Sequence, residues 1–169
     1  MITAEEIIGV LKLRPLPVEG GLYRQTYVAS EEIGAEALAI RYGRTKSLCT
    51  AIYYLLTDQP QSFSALHRLP TDEVYHFYLG DPVEMLLLHP EGRSEVIVLG
   101  QDLLAGQHVQ HVVPAGVWMG SRVFEGGQFA LLGTTMAPGY DDLDYEGGNA
   151  EELERQYPEW ASLIRQLSR

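Results

Sequence analysis

The chain has 169 residues and a formal net charge of −11. Hydrophobic residues make up 46% and charged residues 21%, which is typical of a water-soluble globular protein. This composition argues against nucleic-acid or anionic-membrane surfaces, because both need clustered Lys and Arg side chains. No apolar run approaches the ~18 residues that can span a bilayer, and no signal peptide is recognisable. Cys49 is the single cysteine and cannot form an internal disulfide, so we expect a cytoplasmic protein with one domain over residues 1–169.

Helices are predicted at the two ends of the chain. Thr3 and Glu6 form a capping-box pattern, and apolar residues follow at helical spacing, which predicts a helix over residues 4–12. Residues 141–169 form an acidic tail, with helices predicted over 150–157 and 159–167. The excess of carboxylates favours a solvated surface for the acidic part of this tail.

Short strands separated by turn signals are predicted between these helices. Their expected ranges are 22–28, 47–56, 73–79, 83–88, 94–99, 107–113 and 128–134, with a weaker candidate at 37–42. Turns rich in Gly, Pro and Asp separate most of them. Short strands separated by turns at regular intervals predict an all-β sandwich or barrel whose core covers about residues 20–140.

Two predicted strands, 47–56 and 83–88, are apolar on both faces. An antiparallel sheet usually leaves one face in water, and its strands then alternate between apolar and polar residues. The missing alternation indicates that something covers the outer face, either the N-terminal segment or a second subunit. We predict a homodimer that uses this sheet.

The segment 62–82 concentrates side chains that can bind a metal or transfer a proton. The pattern His67-x5-Glu73-x6-Gly80, followed further along by Pro114-x-Gly116, resembles the paired motifs of the cupin superfamily. The stretches 19–27, 50–53, 67–82 and 113–116 are more specifically similar to the uncharacterised cupin-5 family, DUF985. The resemblance implies a cupin-type antiparallel β-barrel (a double-stranded β-helix, or jelly roll) with short terminal helices. It also implies a common homodimer, but no established reaction.

The resemblance is incomplete at the metal-binding positions of a cupin. Of the four usual ligands, His67 and Glu73 are present, whereas Leu69 and Met119 occupy the other two positions. Two ligands do not hold a catalytic transition metal well, because such sites use three protein ligands and an open position.

A third ligand would have to come from His76 or His111. Residues 73 and 76 point to opposite faces of a regular strand, so a bulge would be needed to bring His76 beside Glu73. A cavity without a metal is therefore favoured over a divalent-metal site formed by His67, Glu73 and His76.

Three functions fit these residues. The first is acid/base catalysis by His67 and Glu73, as in an isomerase, epimerase or lyase acting on a sugar or small organic acid in the barrel pocket. Sugar-nucleotide epimerases with cupin-like folds provide an analogy at the level of fold alone. The second is a divalent-metal cupin enzyme, and the third is a non-catalytic ligand-binding or sensing module.

Five residues are candidate ligand contacts in that pocket. An inward Arg24 would bind a carboxylate or phosphate through two hydrogen bonds. Trp118 follows the Pro-x-Gly turn and belongs either to the core or to an aromatic wall of the pocket. Tyr53, Ser64 and His76 complete the set.

Overall fold

The computed structural model describes residues 2–169. Its helices are α1 (Ala4–Leu11), α2 (Ala150–Gln156) and α3 (Ala161–Gln166). The predicted capping box is confirmed, because the Glu6 N–H donates to Thr3 Oγ1 at 3.2 Å and the Thr3 N–H donates to Glu6 Oε2 at 2.8 Å. No helix in this range is long and apolar enough to cross a membrane.

Short antiparallel strands make up most of the regular structure. They are β1 (Arg14–Pro15), β2 (Leu22–Val28), β3 (Glu32–Ile33), β4 (Lys46–Ser47), β5 (Thr50–Thr57), β6 (Ser64–Arg68), β7 (Glu73–Gly80), β8 (Val83–Leu88), β9 (Ser94–Leu99), β10 (Gln110–Val113), β11 (Trp118–Val123), β12 (Phe129–Met136) and β13 (Glu146–Gly147). The predicted bounds of β2, β8 and β9 are confirmed to the residue.

The strands form two large sheets. The six-stranded sheet has the order β1-β2-β5-β12-β7-β10, and the five-stranded sheet has the order β13-β6-β11-β8-β9. The main core lies between them and contains Tyr54, Phe77 and Leu132 of the first sheet with Met85 and Met119 of the second. The mostly-β class with a few short helices is therefore confirmed, while the ladders form separate sheets rather than one closed sheet.

The outer faces of both sheets are partly covered by the chain's own helices. Ile7 of α1 packs in one cluster with Leu55 of the six-stranded sheet. Leu153 of α2 packs in another with Leu86 and Leu88 of the five-stranded sheet. These contacts account for the two doubly apolar strands within a single chain, so that pattern does not by itself require a second subunit.

The expectation of a solvated acidic tail is wrong for the inner side of that segment. Asp144, Leu153 and Tyr157 are all buried. The Tyr157 hydroxyl donates to the His89 carbonyl oxygen at 2.5 Å, which fastens the segment to the turn after β8. The apolar outer face of the five-stranded sheet requires this cover, and composition alone did not show it.

Two further differences concern local structure. The candidate strand at 37–42 is wrong, because 3-10 turns occupy Ala35–Ala37 and Ile40–Tyr42. Strand β11 has no apolar alternation and was absent from the predicted set. It is nevertheless central to its sheet, where Gly120 lets Leu66 approach so closely that an added Cβ would lie 3.0 Å from its Cγ.

Candidate functional site

A cavity of 620 Å³ opens beside the edge of the six-stranded sheet that carries β1, β2 and β5. This volume is in the usual range for a small-molecule site. Strand β6 of the other sheet and residues 140–143 also contribute to its wall. The lining residues are Arg14, Leu16, Glu19, Tyr23, Gln25, Thr50, Ala51, Ile52, His67, Leu69, Glu73, Thr134, Met136, Tyr140, Asp141, Asp142 and Leu143.

A tight turn before β2 delivers Glu19 to the inner part of the cavity. Gly20 has φ +105°, and an added Cβ would lie 2.3 Å from the Phe63 carbonyl oxygen, so only glycine fits there. The Glu19 carbonyl oxygen accepts from the Ala65 N–H at 2.9 Å. Its carboxylate accepts from the Ser64 hydroxyl at 2.8 Å. The turn and β6 thus fix this carboxylate from both its backbone and its side chain.

His67 lies on β6 next to Glu19 and is 1% exposed. Its Nδ1 is 2.8 Å from the Ala65 carbonyl oxygen, which can only accept, so Nδ1 carries the hydrogen. Nε2 then lies 4.0 Å from Glu19 Oε2. The ring of Tyr145 stacks on the imidazole with a centroid distance of 5.1 Å and an interplanar angle of 17°. This arrangement leaves Nε2 as the atom that can take up or release a proton.

Glu73 begins β7 and is 6% exposed. Burial raises its pKa from 4.5 to about 7; His67 opposes this shift, and the carboxylate of Glu19 adds to it. Its Oε2 is buried and has no hydrogen-bond partner in the described part of the chain. At neutral pH this carboxyl group is therefore present in both protonation states.

Residues 140–146 are here called the strap, and the first four of them line the cavity. The Tyr140 N–H donates to Thr50 Oγ1 at 2.8 Å at one end. At the other, buried Asp144 forms ion pairs with Lys46 and with Arg44, the latter at 2.7 Å. The bonds of Tyr140 and Asp144 thus fix the strap at two points beside the cavity.

The predicted residues His67 and Glu73 are brought together in the cavity. Ser64 lies beneath it, buried, and contacts Glu19 rather than the open space. The structure therefore places these three predicted residues in one polar group.

Arg24, Tyr53 and His76 lie elsewhere, on the outer face of the six-stranded sheet. The Arg24 guanidinium lies 5.5 Å from the Tyr53 ring centroid. His76 bonds to Gln110 and Thr135 and stacks on the Tyr78 ring. Strand parity explains this placement, because alternate residues of one strand face opposite sides of a sheet.

Trp118 also lies outside the cavity. It is half-buried and packs against the cluster that joins the five-stranded sheet to the C-terminal helices. The Arg68 guanidinium lies 4.6 Å from its ring centroid. Its neighbour Met119 points into the main core, so Trp118 must point outward.

The described residues do not form the metal site of a cupin. Within residues 2–169 no three His, Cys, Asp or Glu side chains are arranged to hold a metal ion. Leu69 lines the cavity and Met119 is buried in the core, so neither position offers a ligand atom suited to a hard divalent cation. The only bulge of β7 against β12 lies beyond His76, which stays on the opposite face from Glu73.

Sequence reasoning missed Glu19, Tyr140 and Tyr145 as site residues. Glu19 lies in the family-like stretch 19–27, and its adjacent pair of glycines was a signal for a constrained turn. The two tyrosines lie in a segment that composition marked as solvated. Burial raises the pKa of Tyr145 to about 12, so its phenol stays protonated beside His67.

Comparison with known proteins agrees with this fold. The family model described as Cupin superfamily (DUF985) matches residues 5–147, and the chain belongs to that family. A hypothetical protein from Leishmania major has a TM-score of 0.86 at 29% identity, with 99% of each chain covered. A protein from Shewanella oneidensis has a TM-score of 0.85 at 33% identity, covering 100% of this chain and 99% of its own.

Two further matches are partial or of low sequence identity, and they carry less information about this chain. An uncharacterised protein of Saccharomyces cerevisiae is 29% identical over 104 residues, which is 60% of this chain and 51% of that protein. The match thus spans about half of the yeast protein. Oxalate decarboxylase from Bacillus subtilis has a TM-score of 0.53 at 14% identity, covering 93% of this chain and 37% of its own. That protein has Mn(II) centres, but similarity at this level shows the fold alone.

Proposed function

We propose that the cavity binds a small polyhydroxylated molecule, such as a sugar, and catalyses proton transfer at it. The reaction class is that of an isomerase, epimerase or lyase. The observation that carries the proposal is Glu73, whose buried carboxyl faces the cavity with one unpartnered oxygen and a pKa of about 7. A general acid or base works best when its pKa lies near the working pH.

Two residues share the proton chemistry in this proposal. The Glu73 carboxylate takes a proton from the substrate, and the same group or His67 Nε2 returns one at the new position. In an isomerisation or epimerisation a proton leaves one carbon and a proton returns to carbon, so no further reactant is required; in a lyase reaction the second proton goes to the leaving group. The hydrogen bond from His67 Nδ1 to the Ala65 carbonyl fixes the ring so that Nε2 is available. Glu19 Oε2 lies 4.0 Å from that atom.

Exchange of substrate hydrogen with solvent tests the proposal directly. The protein is incubated in D2O with a panel of aldoses, ketoses and amino sugars, and deuterium at carbon is followed by NMR. We expect exchange in at least one compound, and its loss in Glu73→Gln and in His67→Asn. Glu125→Gln, which removes a carboxylate from an exposed turn, is the matched control and should exchange like the wild type.

Two results would overturn the proposal. One is the absence of exchange in every compound, although a compound raises the melting temperature; the protein is then a binding or sensing module. The other is exchange that persists in both variants, because the proton would then move through other groups.

We also propose that the protein is a homodimer through the outer face of the six-stranded sheet. Tyr53 and Tyr78 meet there edge to face with ring centroids 6.0 Å apart, and Tyr27, Tyr78 and Val112 are exposed. A surface of aromatic and aliphatic side chains beside Arg24 has the composition of a protein interface.

Sedimentation measures the oligomeric state. We expect a dimer for the wild type, a monomer for Tyr78→Asp, and a dimer for Phe124→Asp, which changes an exposed aromatic residue in the β11–β12 turn. A wild-type monomer at micromolar concentration contradicts this proposal.

A further inference from the structure

The charges around the cavity are strongly unbalanced. Four carboxylates line it, whereas Arg14 is the one Lys or Arg among the lining residues of 2–169. Arg14 is exposed at the rim and already donates to the Tyr23 hydroxyl at 3.1 Å. The rest of the cavity therefore presents an excess of negative charge to whatever enters it.

Part of this negative charge has no cation to balance it. Asp141 is 3.5 Å from the Arg44 guanidinium, so its charge is compensated by that cation. Glu19, Glu73 and Asp142 form no ion pair with any Lys or Arg of residues 2–169. The Glu19 carboxylate accepts from the Ser64 hydroxyl and lies 4.0 Å from the imidazole of His67. The Arg169 guanidinium bonds to the backbone carbonyl of Glu19 and not to its carboxylate. Carboxylates in a protein interior are normally paired with a cation or bonded to donors.

An independent feature also points to a donor on the ligand. Glu73 is more than nine-tenths buried, lines the cavity, and leaves Oε2 without a partner within the described chain. Buried polar atoms in native proteins nearly always have a hydrogen-bond partner. A ligand that fills this space can bring a hydrogen-bond donor to the Glu73 carboxyl group.

We infer that the ligand of this cavity carries a protonated primary amine, as in an amino sugar or a hydroxylated alkylamine, which Glu19 and Glu73 bind. An ammonium group has three N–H donors and no acceptor, which suits two neighbouring carboxylates. A carboxylate or phosphate ligand would instead meet like charge, which is unfavourable in a partly buried site. The inference rests on the proposed function and narrows its substrate class.

The remainder of the cavity suits the carbon skeleton of such a molecule. Leu16, Ile52, Leu69 and Met136 provide apolar wall, and Tyr140 closes it from the strap. A volume of 620 Å³ accommodates a single sugar ring with some water. The amine would thus lie at the carboxylate end with the ring carbons against the apolar wall.

Binding of matched compounds that differ in charge tests the inference. One series is D-glucosamine, D-glucose and D-glucuronate; the other is 2-amino-1,3-propanediol, glycerol and glycerate. Titration calorimetry at pH 7 and fixed ionic strength measures each affinity, because the amine of an amino sugar is still protonated at this pH. We expect the amine of at least one series to bind about tenfold or more tighter than its neutral analogue, as charge-assisted hydrogen bonds predict. The anion should bind more weakly than both.

Variants locate the amine at the two carboxylates. Glu73→Gln and Glu19→Gln should each weaken amine binding about tenfold or more and leave the neutral analogue little changed. Glu125→Gln should leave both unchanged. The inference is wrong if the neutral or anionic compound binds as tightly as the amine, if neither amine binds, or if both carboxylate variants retain wild-type affinity. If a variant does not fold, the affinities of the amine, neutral and anionic compounds for the wild-type protein still test the inference.

The two proposals fail in different ways. An amine that binds at Glu73 without deuterium exchange supports the ligand class and refutes the catalytic function. A neutral sugar that undergoes exchange through Glu73 supports the function and refutes the ligand class.

Discussion

Replacing Glu73 by Gln should change how stability depends on pH. The pKa of Glu73 is about 7 in the folded protein, against 4.5 for an ordinary glutamate. The folded state therefore holds its proton more tightly, and the stabilising effect of that proton is present below pH 4.5 and is lost as pH rises through 7. A difference of about 2.5 pKa units corresponds to about 3 kcal/mol. Gln keeps the shape and has no charge to bury, so the variant should lack this loss.

Urea denaturation at several pH values between 4.5 and 8 measures the effect. We expect the free energy of unfolding of Glu73→Gln, relative to wild type, to rise by about 3 kcal/mol across this range, or a relative shift of roughly 6–12 °C in melting temperature. Glu125→Gln, an exposed carboxyl, should run parallel to the wild type. Parallel curves for Glu73→Gln would refute the argument that this carboxyl is buried without adequate compensation.

Three further changes test the structure around the site, each by urea denaturation at neutral pH. Lys46→Met leaves the buried Asp144 paired with Arg44 alone and should cost about 2 kcal/mol, part of which Asp144→Asn restores in the double variant; a loss under about 0.5 kcal/mol would show that the pair with Lys46 is not needed. Tyr157→Phe removes one of the two donors to the His89 carbonyl, the other being the Gly92 N–H, and should cost about 1 kcal/mol; an unchanged midpoint would contradict the bond from Tyr157. Gly80→Ala forces a Cβ to within 2.4 Å of a carbonyl oxygen of β12 at φ +105°, and should cost about 2 kcal/mol or more; wild-type stability would exclude this close approach.

Several features of the molecule followed from local sequence. The capping box fixed the start of α1, because its two side chains bond to backbone groups three residues away. Strands β2, β8 and β9 matched their predicted bounds, since turn residues punctuate the chain on both sides. The stretches 19–27, 50–53, 67–82 and 113–116 resembled the cupin-5 family, and the match over residues 5–147 confirms that family.

Other features required the assembled sheets. A period of two shows which residues share a face, but not which face is inside, and this is why Arg24, Tyr53 and His76 were candidates for a cavity that they do not line. The sequence also did not predict that the C-terminal helices cover a sheet. An acidic helix with one apolar stripe has the composition of a solvated surface, and the stripe is recognised as a packing face only when the sheet it contacts is known.

The candidate site also combines features that the sequence predicted with features that only the folded structure shows. Sequence placed His67 and Glu73 in one motif, because they lie a few residues apart on consecutive strands of the chain. Only the tertiary structure brought Glu19 and the strap to them, from positions far apart in the chain. The shift in the pKa of Glu73 likewise depends on burial and on Glu19, which are properties of packing rather than of neighbouring residues. The sequence alone thus determined which side chains were available for proton transfer, and packing decided which of them share a cavity and how each is charged.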